Sequence, residues 1–306
     1  MRVIVCNDYK EMSMRAAKLV ASQIILKPDC VLGLATGSTP IGLYENLVEM
    51  EKNGEIDFSD VTSFNLDEYY PISPENSQSY RYFMNENLFS KINIDLAHTH
   101  VPNGATDDPE GECLRYEGMI NAAGGIDLQI LGIGQNGHIG FNEPDNNLNT
   151  ITHLTDLTQS TIDANSRFFE SRDEVPTKAL TMGMASILKS RKIVLLASGR
   201  TKAAVVAELL KGAINTSVPA TLLNVHPDVV LICDREAYAG VALGVDIGGT
   251  NVKFGVIDGL NNIIYKDSIP THKEKSTEEI VDNIVHKCRE IAEKYPISSV
   301  GVGTPG

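Results

Sequence analysis

The sequence predicts an α/β fold with a mostly parallel sheet and helices on both of its faces. Short runs rich in β-branched residues alternate with amphipathic segments along most of the chain. The runs are apolar at consecutive positions, which is typical of strands that are buried on both faces of a parallel sheet. Polar, glycine-rich motifs follow several of these runs. Because ligands bind outside the carboxyl ends of such strands, the pattern also predicts where a functional site lies.

Six of the runs are predicted strands of this sheet. In chain order they are Arg2–Cys6, Val31–Thr36, Thr62–Leu66, Asp127–Ile133, Lys192–Ala197 and Val229–Asp234. The amphipathic segments between them are predicted helices, and Asn7 or Asp8 is suited to cap the first of them. These helices are Glu11–Leu26, Ile41–Asn53, Ser79–Leu88, Pro109–Ala123, Lys178–Lys189 and Thr201–Lys211.

The pattern changes near Gly240, which divides the chain into two predicted domains, residues 1–240 and 241–306. After a strand at Ala242–Val245, the runs Val252–Ile257 and Ile263–Ile269 flank turn residues, and this arrangement predicts an antiparallel hairpin. A helix and a last strand complete the segment, at Thr277–Lys294 and Ser299–Val302.

Composition and charge argue against several classes of function. The formal net charge is −14, whereas nucleic-acid-binding proteins usually present a basic face, so no nucleic-acid partner is expected. No apolar run approaches the roughly 20 residues of a membrane helix, and the N-terminus lacks the pattern of a signal peptide. The chain has five cysteines, an odd number, and no two of them have Cys-x-x-Cys spacing. This pattern does not suggest a disulfide framework and indicates a reducing compartment. We therefore expect a cytoplasmic protein without a membrane partner.

The first motif is a glycine- and hydroxyl-rich turn after the second predicted strand. Gly37 allows a sharp turn that directs backbone N–H groups to one point, and Thr36, Ser38 and Thr39 add hydroxyl donors. The helix that follows contributes the positive end of its dipole. This combination suits a phosphate group or a sugar hydroxyl, although an ordinary strand-to-helix turn has a similar pattern.

The second motif places two acids, Asp67 and Glu68, at the end of the third predicted strand. If the two carboxylates converge on a closed site, one of them acquires a raised pKa and can act as a base. The alternative is that both are solvated acids of a loop.

The third motif surrounds His138 with glycines and places Glu143 five residues further on. Such a loop lets the imidazole approach a ligand closely, and the carboxylate can orient and charge the ring. A metal site is not predicted, because His138 and Glu143 lack helical spacing and no second His or Cys lies nearby in sequence.

Two cationic positions complete the candidates. Arg167 lies in an Asn-Ser-Arg-Phe-Phe run, and Lys202 follows a strand and Gly199 at the start of a predicted helix that Thr201 could cap. A lone Arg or Lys is usually a solvated surface charge, but the strand-end glycine beside Lys202 makes this lysine a fair phosphate ligand.

Taken together, these motifs resemble the glucosamine-6-phosphate deaminase family over residues 1–240. The resemblance rests on four separated motifs in the family's order, Leu34–Pro40, Asn65–Tyr69, Asn136–Pro144 and Ala164–Phe169. It implies a Rossmann-like fold and the conversion of glucosamine 6-phosphate and water to fructose 6-phosphate and ammonia in amino sugar catabolism, with no cofactor. The expected partner is a phosphorylated amino sugar. A homo-oligomer is left open, because family members differ in assembly.

The resemblance also assigns roles to individual residues. His138, assisted by Glu143 and Asn136, would open the sugar ring, and Asp67 would take the proton from C2. The positions that match the family's phosphate site are Thr36, Gly37, Ser38, Thr39, Arg167 and Lys202. Many family members carry Asp where this chain has Asn136, and others have Asn. Because an amide carries no charge, Asn136 is expected to orient its partners by hydrogen bonding.

Residues 241–306 resemble the start of a sugar kinase of the repressor–ORF–kinase (ROK) family, whose fold is of the actin and hexokinase type. Asp246 and the Gly248–Thr250 turn match that family's nucleotide-phosphate motif, and Gly301–Gly306 resembles the end of its next core strand. The catalytic aspartate and the zinc-binding segment of such a kinase would lie beyond residue 306. The segment is therefore expected to be a partial kinase fold that transfers no phosphoryl group.

Three other functions fit parts of the pattern. A 6-phosphogluconolactonase shares the fold and a similar Gly-Ser-Thr-Pro loop, but it needs neither the Asn65–Tyr69 motif nor Phe141–Pro144. A non-catalytic sugar-phosphate sensor would normally carry a helix-turn-helix and could lose its acid and base, whereas this chain keeps Asp67, His138 and Glu143. A regulator of the kinase family is disfavoured, because that resemblance covers only the C-terminal segment.

Overall fold

The computed structural model describes residues 1–165, 175–238, 241–257, 262–272, 274–295 and 297–304. The strands are β1 Arg2–Cys6, β2 Val31–Leu34, β3 Thr62–Asn65, β4 Asp67–Tyr70, β5 Thr99–His100, β6 Leu128–Gly132, β7 His153–Asp156, β8 Lys178–Thr181, β9 Lys192–Ala197, β10 Val229–Asp234, β11 Val241–Ile247, β12 Asn251–Ile257, β13 Ile263–Pro270 and β14 Ile297–Gly303. The α-helices are α1 Tyr9–Leu26, α2 Ile41–Lys52, α3 Tyr80–Asn87, α4 Pro109–Ala122, α5 Gln159–Asn165, α6 Met184–Leu188, α7 Ala203–Leu210, α8 Arg235–Tyr238 and α9 Thr277–Lys294. Short 3₁₀ helices lie at Phe89–Lys91, Leu96–His98, Arg200–Lys202 and Pro219–Val225.

A seven-stranded parallel sheet forms the centre of the N-terminal part. Its strand order is β1-β10-β9-β6-β2-β3-β5, and all six neighbouring pairs are parallel. Every residue of β2 and β10 is buried, as the continuous apolar runs predicted. The predicted α/β fold with a mostly parallel sheet is confirmed.

The strand order reverses direction beside β2. The chain adds β3 and β5 on one side of β2, and then returns to place β6, β9 and β10 on the other side. The carboxyl ends of β2 and β6 therefore flank the point at which the order reverses. In open α/β sheets this is the place where a ligand binds.

Helix α1 shows how the flanking helices are fixed to the sheet. Its buried face carries Met12, Ala16, Val20 and Ile24, which are four residues apart and so follow one side of the helix. Of the two candidate caps, Asp8 is the one that acts, because its side chain accepts a hydrogen bond of 2.8 Å from the Glu11 backbone N–H.

The prediction of one helix at Lys178–Lys189 is wrong. Lys178–Thr181 is strand β8, and only Met184–Leu188 is helical. Strand β8 lies between β4 and β7 in a three-stranded antiparallel sheet, where Ala179 and Leu180 are fully buried. Pairing on both edges therefore overrides the helical pattern of the sequence. Gly183 interrupts the segment where the backbone of Ile151 approaches so closely that a methyl group would lie 2.3 Å from the Ile151 oxygen.

The C-terminal segment forms a separate four-stranded sheet of order β13-β12-β11-β14. The β12–β13 pair is antiparallel and the β11–β14 pair is parallel, so the predicted hairpin, helix and strand are confirmed. Ile284 and Ile291 of α9 pack with buried residues of β11 and β12 in a core of their own. Ser276 and Glu279 form a capping box at the start of α9. The predicted boundary near Gly240 falls on residues 239–240, which lie outside the described part of the chain.

Within the described ranges, no helix is long and apolar enough to cross a membrane.

Candidate active site

The loops that follow β2, β3, β6 and β9 meet at one edge of the central sheet, because these strands are parallel neighbours. Lys202, after β9, donates a hydrogen bond of 2.7 Å from Nζ to the carbonyl oxygen of Ile133, after β6. In the same β6 loop, a methyl group on Gly140 would lie 3.5 Å from Oδ2 of Asp67. The structure therefore brings Asp67, the histidine loop and Lys202 into one region.

The loop after β2 turns at Gly37, whose φ of +88° is a conformation that favours glycine. The Tyr9 hydroxyl fixes this loop to α2: it donates to the carbonyl oxygen of Ser38 at 3.2 Å and accepts from the backbone N–H of Gly42 at 2.8 Å. Among the described residues, nothing hydrogen-bonds to the side-chain hydroxyls of Thr36, Ser38 and Thr39. These three hydroxyls are thus available to a ligand.

Asp67 is a buried carboxylate without a hydrogen-bond donor among the described residues, and its exposed fraction is 6%. It is the first residue of β4, opposite Thr181 of β8. Burial, assisted by the charge of Glu68, raises the pKa of Asp67 to about 8. A carboxylate with this pKa is a much stronger proton acceptor than an ordinary aspartate.

The carboxylate of Glu68, by contrast, already accepts hydrogen bonds from the backbone. It accepts them from Tyr69 at 3.0 Å, from Tyr80 at 2.8 Å and from Arg81 at 3.0 Å. Two of these donors belong to the first turn of α3, so Glu68 caps that helix together with Ser79. Burial raises its pKa to about 7 despite the three bonds. Of the two adjacent acids in the motif, the geometry favours Asp67 as the base.

A wall of three aromatic rings lies beside Asp67. Tyr69 lies on the same face of β4 as Asp67, because it is two residues further on. Its ring centroid is 4.8 Å from that of Tyr80 and 5.7 Å from that of Phe141. Phe141 also follows Gly140, which lies close to the Asp67 carboxylate. Sequence reasoning did not identify this wall, because its members come from three separate elements.

His138 and Glu143 form the pair that their spacing suggested. Nδ1 of His138 lies 3.3 Å from Oε2 of Glu143, and the imidazole is 24% exposed whereas the carboxylate is nearly sealed. Asn136 donates from Nδ2 to the same oxygen at 2.7 Å, and its Oδ1 accepts from the His138 backbone N–H at 3.2 Å. Asn136 is therefore placed as an orienting residue, as an uncharged amide must be.

Burial works against the ionisation of Glu143, but its contacts with His138, Thr161 and Asn136 outweigh burial and lower its pKa below the ordinary range. The Thr161 hydroxyl donates to Oε1 of Glu143. Thr161 lies on α5, and no spacing in the sequence connects it with Glu143, so only the structure identifies it.

Two glycines of this loop are needed for steric reasons. A methyl group on Gly134 would lie between 2.4 and 2.6 Å from three atoms of the His138 ring. Gly137 has a φ of +87°, and a methyl group there would lie 2.5 Å from Cγ1 of Val218. The glycine density around His138 therefore serves the close packing of its ring and loop.

The loop after β9 is held by an acid that sequence reasoning missed. Asp234, at the end of β10, accepts from the Ser198 hydroxyl at 2.5 Å, from the Gly199 backbone N–H at 3.0 Å and from the Ala237 backbone N–H at 2.8 Å. This fixes Gly199, at a φ of +85°, just before the turn that carries Lys202. The expectation that Thr201 caps the helix is wrong: α7 begins after Lys202, without a side-chain cap.

Arg167, the remaining predicted phosphate ligand, lies outside the described residues. In the part of the chain that is described, no three His, Cys, Asp or Glu side chains are grouped so that they could hold a metal ion.

Two family models match different parts of the chain. The model of the family described as glucosamine-6-phosphate isomerases/6-phosphogluconolactonase matches residues 7–231, and the ROK family model matches residues 242–306. A glucosamine-6-phosphate deaminase of Halothermothrix orenii is 63% identical over 237 residues, which are 78% of this chain and 98% of that protein. One of Clostridioides difficile is 56% identical over 78% of this chain and 95% of its own length.

Solved structures agree with this match. A monomeric glucosamine-6-phosphate deaminase of the NagB superfamily is 46% identical with a TM-score of 0.76, over 78% of this chain and 98% of its own. A 6-phosphogluconolactonase of Thermotoga maritima has a TM-score of 0.61 at 23% identity, over 76% of this chain and 99% of its own, and so shares the fold alone.

Proposed function

Because the chain belongs to the family of glucosamine-6-phosphate isomerases and 6-phosphogluconolactonases, we propose that it converts glucosamine 6-phosphate and water to fructose 6-phosphate and ammonia. The observation that carries this choice within the family is a buried Asp67, which has no hydrogen-bond donor among the described residues, together with a separate His138–Glu143 pair at the same sheet edge. Lactone hydrolysis needs no base for a C–H proton, whereas this reaction does.

The first step is the opening of the sugar ring by His138. A proton must reach the ring oxygen and another must leave the hydroxyl at C1, and an imidazole can do both in turn. Oε2 of Glu143 faces Nδ1 of the ring. This contact favours the tautomer with a proton on Nδ1. The Nε2 atom then remains for the sugar.

The second step is the removal of the C2 proton by Asp67. The electrons of the C2–H bond form a C1–C2 double bond, the π electrons of the C1 carbonyl move to its oxygen, and this oxygen takes up a proton, which gives an enolamine. Protonation at C1 converts the enolamine to a C2 imine, and water replaces its nitrogen, so that ammonia leaves and fructose 6-phosphate remains. A pKa of about 8 makes Asp67 basic enough to share this proton near neutral pH.

The phosphate group would be bound by the loop after β2 and by Lys202, with Arg167 as a further cationic ligand. The hydroxyls of Thr36, Ser38 and Thr39, which have no hydrogen-bond partner in the described part of the chain, and the backbone turn at Gly37 support this assignment. When the substrate binds, the Lys202 ammonium would weaken its hydrogen bond to the Ile133 carbonyl and form one with the phosphate. We place the reaction in the cytoplasm, which is supported by free thiols at all five cysteines.

The deciding experiment is an assay of ammonia release from glucosamine 6-phosphate, with and without N-acetylglucosamine 6-phosphate as an activator. We expect ammonia and fructose 6-phosphate in equal amounts. Hydrolysis of 6-phosphogluconolactone in place of ammonia release would favour the lactonase. If the protein binds the sugar phosphate and produces neither product, it is a sensor.

A further inference from the structure

Both carboxylate oxygens of Glu143 have polar partners. Oε2 faces His138 and accepts from Asn136, whereas Oε1 accepts the hydroxyl of Thr161. Glu143 and Thr161 are both buried, with exposed fractions of 9% and 5%. The Thr161 bond is therefore the interaction that occupies the oxygen turned away from the imidazole.

The direction of this hydrogen bond is fixed by chemistry. An ionised carboxylate accepts hydrogen bonds but cannot donate, so the single hydroxyl proton of Thr161 points to Glu143. The Thr161 oxygen in turn accepts from the hydroxyl of Thr158 at 3.1 Å. Two hydroxyls in a row polarise each other and strengthen the bond to the carboxylate.

Thr161 is also carried by a well-anchored part of the chain. Its backbone N–H and that of Ile162 both donate to the carbonyl oxygen of Thr158 at 3.0 Å, which fixes the first turn of α5. Leu157 and Ile162 pack in the same apolar cluster as Tyr69 and Phe141. The hydroxyl is thus held in place relative to the wall beside Asp67.

We propose that Thr161 is a positioning residue, which holds Oε1 of Glu143 and thereby aims Oε2 at the imidazole of His138. This role rests on the proposed deaminase function. Thr161 acts on the His138–Glu143 pair that opens the sugar ring, and not on the phosphate site. Loss of the hydroxyl frees the carboxylate to rotate and removes a donor that stabilises its charged form.

The test compares Thr161→Val, which keeps the side-chain volume, with Thr161→Ser, which keeps the hydroxyl. We expect Thr161→Val to lower kcat about tenfold, the effect of one hydrogen bond to a charged group, with KM changed less than about twofold. The acid limb of its kcat profile should move to higher pH, because Glu143 protonates more readily. Thr161→Ser should restore both properties.

A matched control is Thr152→Val. Thr152 is a buried threonine whose hydroxyl also donates to a glutamate, Glu117, at 2.7 Å, but neither residue belongs to the proposed site. Its loss should lower stability without moving the pH profile. If Thr161→Val keeps the wild-type kcat and pH profile, or if Thr161→Ser behaves like Thr161→Val, the proposal is overturned.

A second measurement separates this proposal from the proposed function. Titration of the Glu143 carboxyl carbon by ¹³C NMR needs no activity, and its midpoint should rise in Thr161→Val. Absence of ammonia release by the wild type would overturn the deaminase function, and the titration would still decide the role of Thr161. If Thr161→Val does not fold, Thr161→Ala is titrated instead, and an unchanged midpoint overturns the proposal.

Discussion

Asp67 and Glu68 are adjacent and almost fully buried, yet the carboxylate of Glu68 accepts three backbone hydrogen bonds and that of Asp67 accepts none from the described residues. The strand places the two side chains on opposite faces of β4. The carboxylate of Glu68 meets the backbone N–H groups at the start of α3, whereas that of Asp67 lies close to Gly140 of the histidine loop. The fold thus uses the carboxylate of Glu68 to cap α3, and among the described residues it gives that of Asp67 no hydrogen-bond donor.

We expect Asp67→Asn to abolish measurable ammonia release while the substrate still binds. An amide has nearly the same shape but cannot take the C2 proton, and a general base typically contributes about 10²–10⁴-fold to the rate. Ammonia release measures the first effect, and calorimetric titration with glucosamine 6-phosphate measures the second. Near-normal turnover in this variant would rule out Asp67 as the base.

The stability of the same variant provides an internal check. The pKa of Asp67 is raised from 3.8 to about 8, so the wild-type protein loses stability as pH rises through that window. The amide of the variant cannot ionise, so Asp67→Asn should melt at a higher temperature than the wild type, and the difference should grow from pH 4 to pH 8. A lower melting temperature of Asp67→Asn at pH 8 would contradict the conclusion that the buried charge of Asp67 destabilises the folded protein.

Glu68→Gln should move the acid limb of kcat/KM to lower pH. The charge of Glu68 is one cause of the raised pKa of Asp67, so a neutral side chain lowers that pKa. A pH profile of kcat/KM measures this shift. A shift of the acid limb to higher pH would contradict the electrostatic coupling.

Gly134→Ala should impair catalysis more than folding. The new methyl group would lie within 2.6 Å of the His138 ring and would displace the imidazole from Glu143. We expect kcat to fall about 10²-fold, as for loss of an aligned acid–base group. Gly118→Ala is the control, because a methyl group there meets nothing within 4 Å. Equal kcat values for the two variants would show that the imidazole does not need this close packing.

Asp234→Asn should weaken substrate binding without slowing the chemical step. Asp234 orders the Gly199 turn before Lys202, and an amide would set an N–H group against donors that need an acceptor. We expect KM to rise about five- to tenfold with kcat within about twofold, which corresponds to lost ground-state binding. Asp228→Asn serves as the control, since the Asp228 side chain forms a half-exposed ion pair with Lys192 away from this loop. A fall in kcat at constant KM would place Asp234 in the chemical step instead.

The central sheet and most of its helices could be predicted from sequence, because buried parallel strands such as β10 are apolar at every position or nearly so. Strand β8 could not be predicted in this way. Its residues Lys178–Thr181 carry no local signal for a strand, and they are extended because β4 and β7 pair with both of their edges.

The candidate site was predictable where a single stretch of sequence contains both partners. His138 and Glu143 are five residues apart in a glycine-rich loop, and the structure keeps them together. Thr161 and Asp234 could not be predicted, because they reach their partners from other elements. The difference between Asp67 and Glu68 also required the structure, since only the position of α3 shows which carboxylate is already occupied.

The last prediction concerns the C-terminal segment. The Halothermothrix orenii relative matches over 237 residues, which are 98% of its own length, so it has no counterpart of β11 to β14. In this chain those strands and α9 form a core of their own, separate from the core of the central sheet. We therefore expect a chain ending after Tyr238 to keep kcat and KM for deamination within about twofold of the full chain, a margin that corresponds to less than about 0.5 kcal/mol. Kinetics of the two proteins, with melting curves to verify folding, measure this. A folded but inactive short chain would mean that residues 241–306 contribute to the site.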